Sequence, residues 1–490
     1  MLSSALHRYC SGWLILCILN LMLFSTHALA FDESRLPSLS SSATQTAGNE
    51  EYRLGRAWLR QFRAHAPEWD DAIAADYIDS LVSRLLPHSQ LGSTRTSIVM
   101  VDNDALNAFA VPGGVIGVNA GLFAFAEDEG AFVSVLAHEL GHLSQRHYAR
   151  GTARAEQTQL PAMAGMLAGM LIAASGGGDA GIAAAIGSQA ALAQDQLRYS
   201  RRFEQEADRL GLQTMADAGF EPAAMVRMFR AMQRMASLQG GTPPEFLLTH
   251  PVSEARLSDA QSRASQLQAA SSGDRNPMYA LIRARALAHI HADRPQQAIT
   301  RLAESPVAED TAKRYLQALL DAQAGRTDEA LNEIDQLARA LPDLAIFPAS
   351  AAEVALKARR YEEAAQRSHR LLRLMPNHLP AQMVLGEALL QRQPDEAYRV
   401  LRDITLQYPE NAQAFSLLAE AAGRSDREAW GHLARAEQLQ LTGRIDRGIR
   451  QLDIAKGVAE KQNDRQALGR IEQRREDFVD YRETLEKFGR

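Results

Sequence analysis

Two histidines and a glutamate have the spacing of a metal site in the segment His138-Glu139-Leu140-Gly141-His142. On a helix, residues at positions i and i+4 lie on one face about 6 Å apart, so both imidazoles can bind one zinc ion. The glutamate beside the first histidine can then lie next to the open coordination position and act as general base. The segment therefore predicts a hydrolytic zinc site.

A catalytic zinc ion needs a third protein ligand. The metzincin class is excluded because Tyr148 stands where its third histidine would fall, and His147 is expected to be a solvated residue at the helix end, off the metal face. Further along, Glu204 and Asp208 share one helix face, so Glu204 can bind zinc while Asp208 accepts the second ring N–H of a ligand histidine. Glu206 projects elsewhere. Taken alone, such a helix is usually a solvated acidic face.

The elements around the motif must place these side chains. Helical periodicity surrounds the motif from Asp128 to Arg150, and apolar spacing predicts two amphipathic helices between Tyr52 and Leu81. Short β-branched runs separated by turn residues predict a small meander of three strands, which lies between these two helices and the helix of the motif. The runs are 97–101, 107–111 and 115–119.

The N-terminus has the features of a signal peptide over residues 1–30, with Arg8, an apolar stretch and a small-residue cleavage site ending at Ala30. An uncleaved membrane anchor is the alternative, although the apolar stretch of about 12 residues is shorter than the ~20 that span a bilayer. Both cysteines, Cys10 and Cys17, lie in this segment, so the mature chain would contain no disulfide. Residues 31–49 read as a flexible leader.

Alanine, glycine and methionine dominate residues 161–193. Met163, Met166 and Met170 fall on one helix face. Small-residue helices packed in a core would explain this composition, and so would a mobile flap or a hairpin at a membrane surface, because methionine suits adaptable binding surfaces.

An internal repeat begins after Pro277. The triplets at 328–330, 362–364 and 395–397 each place an alanine after two acidic residues, and a proline follows each triplet twelve residues later. A small residue and a terminal proline at a period of 33 to 34 residues resemble the tetratricopeptide repeat. An all-α repeat solenoid is therefore expected over 277–490.

The charge balance argues against nucleic acid as a partner. The 490 residues contain 53 Lys and Arg against 59 Asp and Glu, for a formal net charge of −6. A nucleic-acid-binding domain normally carries a basic surface.

The motif HELGH, followed by the helix E-x-E-A-D-R-x-G, resembles peptidase family M48, a family of zinc endopeptidases. The resemblance implies that His138, His142 and Glu204 bind one Zn²⁺ per chain and that Glu139 is the general base. It also implies a gluzincin-type α+β protease domain with a small sheet, over about residues 50–270. The whole chain is then mainly α, with the repeats following the protease.

Further positions are assigned by the same resemblance. Asn107, Ala108 and Phe109 resemble the gluzincin edge strand, which holds the substrate as an added strand. His250 resembles a downstream histidine that approaches the metal and inhibits the enzyme as a fourth ligand, and Arg256 follows it in the same element. Without the resemblance, His250 would read as an ordinary loop histidine.

The resemblance to repeat-containing M48 members implies a periplasmic endopeptidase that degrades unfolded or stalled outer-membrane β-barrel proteins. The repeats would recruit the barrel assembly machinery and give chaperone-like help, with possible membrane contact through 161–193. The alternative is a repeat-based chaperone or adaptor whose zinc site is largely closed by His250.

Overall fold

A computed structural model describes residues 39–91, 96–151, 153–154, 200–239, 245–267, 277–304 and 310–488. The predicted signal peptide, residues 31–38 of the predicted leader and the whole methionine-rich segment 161–193 lie outside these ranges. No helix within the described ranges is both long and apolar enough to cross a bilayer.

The sheet contains the three predicted strands in a different order. Strands β1 (Ser97–Val101), β2 (Ala108–Val111) and β3 (Val115–Asn119) are arranged β1-β3-β2, with β3 in the centre. β3 runs parallel to β1 and antiparallel to β2. The predicted meander was therefore wrong. All five residues of β3 are buried, as expected for a central strand covered on both faces.

Helices surround this sheet on the N-terminal side of the repeats. The two predicted amphipathic helices are present, but the first begins at Leu39, within the segment 31–49 that was predicted to be a flexible leader. The helices of this part are α1 (Leu39–His65), α2 (Ala72–Leu85), α3 (Ala120–Phe125), α4 (Glu129–Ser144), α5 (200–217), α6 (Ala223–Gln239), α7 (Glu245–Thr249) and α8 (Glu254–Ala264).

Helix α4 carries the HELGH motif and is shorter than the predicted helix of 128–150. It begins after Asp128, whose side chain accepts a hydrogen bond from the backbone N–H of Ala131 at 2.8 Å. It ends at Ser144, because Arg146 adopts a left-handed conformation with φ of 51°. The chain changes direction there before a second helical segment at 147–151.

Antiparallel helix pairs continue from Met278 towards the C-terminus. They are α9 (Met278–Ile290), α10 (Pro295–Ala303), α11 (Asp310–Gln323), α12 (Thr327–Ala340), α13 (Ile346–Lys357), α14 (Tyr361–Leu374), α15 (Leu379–Leu389), α16 (Pro394–Gln407), α17 (Ala412–Arg424), α18 (Glu428–Leu441), α19 (Ile445–Gln462) and α20 (Arg465–Phe488).

The repeat signature has the structural meaning that the sequence predicted. Ala330, Ala364 and Ala397 lie in the first turns of α12, α14 and α16 and are completely buried. Each predicted proline stands two residues after the last residue of one of these helices, directly after its C-cap residue. Because a larger residue would separate the paired helices, alanine sets their close packing.

The first repeat helices share one hydrophobic core with the protease part. The buried apolar side chains of this core form one continuous cluster in space, and its members lie between Trp69 and Ala381 in the sequence. Tyr279 of α9 donates a hydrogen bond to the backbone oxygen of Ala126 at 2.8 Å, and Arg283 donates to that of Phe123 at 3.2 Å. The repeats therefore cover an apolar surface of the protease part.

A buried ion network joins the same two parts. Arg285 of α9 donates to Asp71, the residue that caps α2, at 2.8 Å and to Glu353 of α13 at 2.6 Å. It also donates to the hydroxyls of Tyr315 and Ser350. Two carboxylates and two hydroxyls thus compensate for the burial of one guanidinium.

Helix α1 reaches the last repeats. Arg60 donates to the side-chain oxygen of Gln440 at 2.6 Å, and its guanidinium lies 4.7 Å from the ring centre of Tyr481. Near this end of α1, Trp58 and Phe62 pack against Phe109 of β2. One helix thereby contacts both the sheet and the C-terminal repeats.

Candidate metal centre

Two glycines allow the helices of the site to approach each other closely. A Cβ atom on Gly141 of α4 would lie 2.8 Å from the backbone oxygen of Ala207 in α5. A Cβ atom on Gly211 of α5 would lie 3.2 Å from the backbone of Ala137 and of His138. Each contact is closer than a larger residue tolerates, so both glycines are needed where α4 crosses α5. This crossing brings Glu204 opposite the two motif histidines.

Four side chains supply a compact set of metal donors: His138, His142, Glu204 and His250. The Nε2 atoms of His138 and His142 are 3.1 Å apart, and each lies 3.3 to 3.5 Å from an oxygen of Glu204. Nδ1 of His250 is 3.3 Å from Nε2 of His138 and 3.1 Å from both Glu204 oxygens.

These distances fit a tetrahedral metal ion. Zinc–nitrogen and zinc–oxygen bonds of about 2.0 to 2.1 Å place tetrahedral ligands roughly 3.3 Å apart, close to every separation above. The donor set is also appropriate, because two imidazoles and one carboxylate are a usual set for catalytic zinc. The residues present therefore fit a bound zinc ion.

Glu139 lies beside the donors and is almost completely buried. Its Oε1 atom has no hydrogen-bond partner among the described residues, and Nε2 of His250 lies 3.7 Å from it. Burial raises the pKa of this carboxyl, and His250 and His138 oppose the shift. An unpartnered carboxylate with a raised pKa is suited to accept a proton.

Asp208 and Arg256 form a buried pair behind the donors. Nε and Nη2 of Arg256 each donate to one Asp208 oxygen at 2.7 Å, and Nη1 lies 2.9 Å from Glu204. Asp208 also lies 2.9 Å from Nδ1 of His138. The same Nη1 donates to the backbone oxygen of Pro251, so Arg256 holds two carboxylates and the segment after His250.

The two motif histidines differ in charge. Burial disfavours the protonated form of both rings. At His138, hydrogen bonds to Asp208 and Glu204 outweigh burial and raise the pKa to about 10. At His142, burial prevails, and the neighbouring His138 adds to it, lowering the pKa to about 3. At neutral pH without metal, one proton is therefore held between the donors on His138.

His250 is held over the site by α7. Its backbone N–H donates to the carbonyl oxygen of Phe246 at 2.7 Å, and the Phe246 ring lies 4.8 Å from the imidazole. Phe246 itself is buried, whereas the His250 side chain is 13% exposed. The histidine thus covers the solvent side of the donors.

The predicted substrate-binding residues lie on and beside an edge strand. β2 pairs only with β3 in the described part of the chain, so its other edge is open. Ala108 is buried, and the Phe109 ring packs against Trp58 and Phe62 of α1. The backbone oxygen of Asn107 accepts the backbone N–H of Asn119 at 3.1 Å. The side chains of Ala108 and Phe109 therefore serve packing, which leaves the backbone groups on the open edge of β2 for recognition.

His147 and Glu206 were not identified by the sequence analysis as site residues. His147 was expected to be solvated, but it is buried. Its Nδ1 lies 3.0 Å from Nδ1 of His142, and its Nε2 lies 3.2 Å from Glu206. The expectation failed because it assumed a continuous helix, whereas the left-handed turn at Arg146 directs His147 back towards His142. No sequence signal marks that turn, since arginine rarely adopts positive φ.

The sequence matches two family models. Residues 72–264 match peptidase family M48, and residues 355–421 match the tetratricopeptide repeat. The first match includes every predicted metal donor, and the second covers the repeats with the alanine and proline signature at 362–376 and 395–409.

The similarity to known proteins extends over the whole chain. The beta-barrel assembly-enhancing protease of Escherichia coli K12 is 32% identical over 471 residues, 95% of this chain and 94% of that protein. The protein of the same name from Yersinia pestis is 32% identical over 462 residues, 92% of each chain.

A shorter match involves the protease part. The mitochondrial metalloendopeptidase OMA1 of Schizosaccharomyces pombe is 29% identical over 181 residues, which are 37% of this chain and 50% of that protein. The M48 model, the full-length relatives and the donor geometry agree. This chain belongs to peptidase family M48 and is a zinc metalloendopeptidase with C-terminal tetratricopeptide repeats.

Proposed function

We propose that this chain is a periplasmic endopeptidase that cleaves misassembled outer-membrane β-barrel proteins, using one Zn²⁺ held by His138, His142 and Glu204. The observation that carries the proposal is the group of donors at tetrahedral spacing with the unpartnered carboxylate of Glu139 beside it. A bound zinc ion polarises the substrate carbonyl and makes water nucleophilic near neutral pH.

The protein's own groups then move the proton. Glu139 takes it from the attacking water and delivers it to the leaving nitrogen of the peptide. Asp208 orients His138 through its Nδ1 atom, at 2.9 Å, and Arg256 keeps Asp208 ionised. Arg256 is a positioning residue, because it touches the carboxylates and not the reacting atoms.

The substrate is held as an extended strand along β2. The open edge of this strand supports such binding, since Phe109 and Ala108 direct their side chains into packed environments. Hydrogen bonds between the main chain of Asn107 to Phe109 and the main chain of the substrate would accept many substrate sequences, because they do not depend on the substrate's side chains. An unfolded barrel strand has an extended conformation and unpaired backbone groups that suit this mode.

His250 favours a second function. Its Nδ1 atom lies 3.3 Å from Nε2 of His138 and 3.1 Å from both Glu204 oxygens, which supports a self-inhibited state with the imidazole where water would otherwise bind. In that state the chain would act through its repeats as a chaperone or adaptor for barrel assembly. A partner that displaces His250 would convert this form to the protease.

The cellular setting follows from the relatives and the N-terminus. Relatives that match over more than 90% of their length are named for barrel assembly, which supports the barrel assembly machinery as a partner of the repeats. Cleavage of residues 1–30 after Ala30 would release the chain into the periplasm. Residues 161–193 would provide contact with the membrane surface.

The test uses the Glu139→Gln variant and an unfolded outer-membrane barrel protein as substrate. The variant is expected to bind one zinc ion per chain and to lose proteolysis by at least about 100-fold, because a single general base contributes about 10²- to 10⁴-fold. Wild-type proteolysis by this variant would refute the assignment. In parallel, His250→Ala should cleave faster than the parent, and unchanged cleavage would contradict self-inhibition.

A further inference from the structure

The second nitrogen of His142 contacts another histidine instead of a carboxylate. Nδ1 of His142 lies 3.0 Å from Nδ1 of His147, and Nε2 of His147 lies 3.2 Å from Oε2 of Glu206. Arg150 donates to the same glutamate oxygen at 2.8 Å. The four side chains form one chain of contacts that leads away from the metal donors.

The positions of the protons in this chain are fixed by its first member. If Nε2 of His142 is to bind a metal ion, the proton of the neutral ring must be on Nδ1. That N–H can only donate to His147, whose Nδ1 is then the acceptor. The proton of His147 is consequently on Nε2, where it donates to Glu206. Each ring nitrogen of His142 and His147 then has one role, as metal ligand, hydrogen-bond donor or hydrogen-bond acceptor. The series of hydrogen bonds ends at the Glu206 carboxylate.

The surroundings of His147 hold this arrangement in place. The imidazole is buried and stacks on Phe203, with ring centres 4.2 Å apart and planes at 19°. Arg150 donates to Oε2 of Glu206, which holds this carboxylate beside Nε2 of His147. A fixed ring beside a fixed charge is a preorganised acceptor for the His142 N–H.

We propose that His147 and Glu206 are positioning residues for the metal site, which fix the tautomer and the ring orientation of His142. They do for His142 what Asp208, at 2.9 Å from Nδ1, does for His138. One ligand histidine is held directly by a carboxylate, and the other is held through a second imidazole. This inference rests on the zinc site proposed above.

The experiment measures metal binding by the full chain. Zinc affinity is determined by competition with a chelator of known affinity, and the visible absorption of the Co²⁺-loaded protein reports the ligand geometry. His147→Leu removes the acceptor at similar volume, and His147→Asn places a side-chain oxygen near the position of Nδ1. Glu206→Leu removes the end of the chain. Arg209→Leu is the control, because Arg209 lies on the same helix as Glu206 but pairs with Asp259, outside the contacts between His142, His147 and Glu206.

We expect His147→Leu and Glu206→Leu to weaken zinc binding about 10- to 100-fold and to change the Co²⁺ spectrum. His147→Asn should recover most of the affinity, and Arg209→Leu should stay within about threefold of the parent. A purely structural role would lower the melting temperature of the metal-free protein without changing the affinity or the spectrum.

Three results would overturn the inference: parental affinity in His147→Leu, an Asn variant as weak as the Leu variant, or parental affinity in Glu206→Leu. If His147→Leu does not fold, the zinc affinity of Glu206→Leu decides the question. Glu206 is partly exposed, so its replacement disturbs the fold less than that of the buried His147. A parent protein that binds no zinc would instead refute the metal site itself, so the two failures are distinguishable.

Discussion

Replacing Arg256 by methionine should lower the local stability of the metal-free site more than any substitution on the surface of the same helix. The side chain is 4% exposed, and its guanidinium makes four polar contacts. Its partners are both oxygens of Asp208, one oxygen of Glu204 and the backbone oxygen of Pro251. Methionine keeps much of the volume but leaves these buried acceptors without their donor.

The expected cost follows from the charges that remain. Removing one member of a buried ion pair costs about 3 to 5 kcal/mol, mainly because the other charge stays buried. Here two ionised carboxylates, Glu204 and Asp208, lose their common cation, and only the protonated His138 is left to balance them. Added zinc supplies positive charge at the same place, so the loss should be smaller in the zinc-loaded protein.

Amide hydrogen exchange of α5 and α8 measures this loss locally, which avoids assuming two-state unfolding for a large chain. A loss of 3 to 5 kcal/mol corresponds to exchange roughly 10²- to 10³-fold faster or more, limited by global opening. Arg263→Met on the same helix is the matched control. Arg263 is exposed and pairs with Asp259, so its loss should cost less than about 1 kcal/mol.

The double variant Asp208→Leu/Arg256→Met tests the cause. Removing both members of a buried pair leaves no uncompensated charge, so it should cost less than the single change. Exchange in Arg256→Met within about threefold of the parent, or a double variant that is worse than the single one, would refute the reasoning.

Three other outcomes are expected. Zinc binding at pH 7 should release about one proton, because the pKa of His138 is raised to about 10, and affinity should rise about tenfold per pH unit as the pH increases towards that value; calorimetry in two buffers of different ionisation enthalpy that shows no proton release would contradict this. Arg285 lowers the pKa of Glu353 to about 2 despite burial, so this pair stabilises the fold above about pH 4.5 and loses its effect as the pH falls towards 2. The free energy of unfolding of the parent, measured by urea unfolding followed by circular dichroism, should therefore exceed that of Glu353→Gln most above about pH 4.5, and the difference should shrink as the pH falls towards 2; a difference that does not change with pH would contradict this. Gly141→Ala should reduce zinc affinity, because its methyl group would lie 2.8 Å from the oxygen of Ala207 and force α4 from α5; unchanged affinity by chelator competition would show that the crossing tolerates it.

The sequence predicted those parts of the site that depend on local spacing. The i, i+4 relation placed His138 and His142 on one face, and the same relation placed Glu204 with Asp208; these distances are intrinsic to a helix. The alanine and proline period predicted the repeat helices for the same reason. Both features can be predicted from local sequence, because neither depends on contacts between elements that are far apart in the chain.

Features that depend on tertiary contacts were predicted poorly. Strand order was wrong, because three short apolar runs contain no information about which of them is central. The burial of His147 depends on a positive φ at Arg146, and the central position of Arg256 depends on the approach of α8 to α5. These contacts are set by packing between elements far apart in sequence, which periodicity does not encode.

The contact between Arg60 and Gln440 has a consequence for the order in which the molecule is completed. The two residues are 380 positions apart, so a chain that emerges N-terminus first cannot form this contact until almost all of it has been synthesised. Helix α1, which carries Arg60, also supports the sheet through Trp58 and Phe62. A product that ends before Gln440 would therefore lack one support of the strand proposed to bind substrate. The final repeats thus delay the complete form of the enzyme until synthesis has nearly finished.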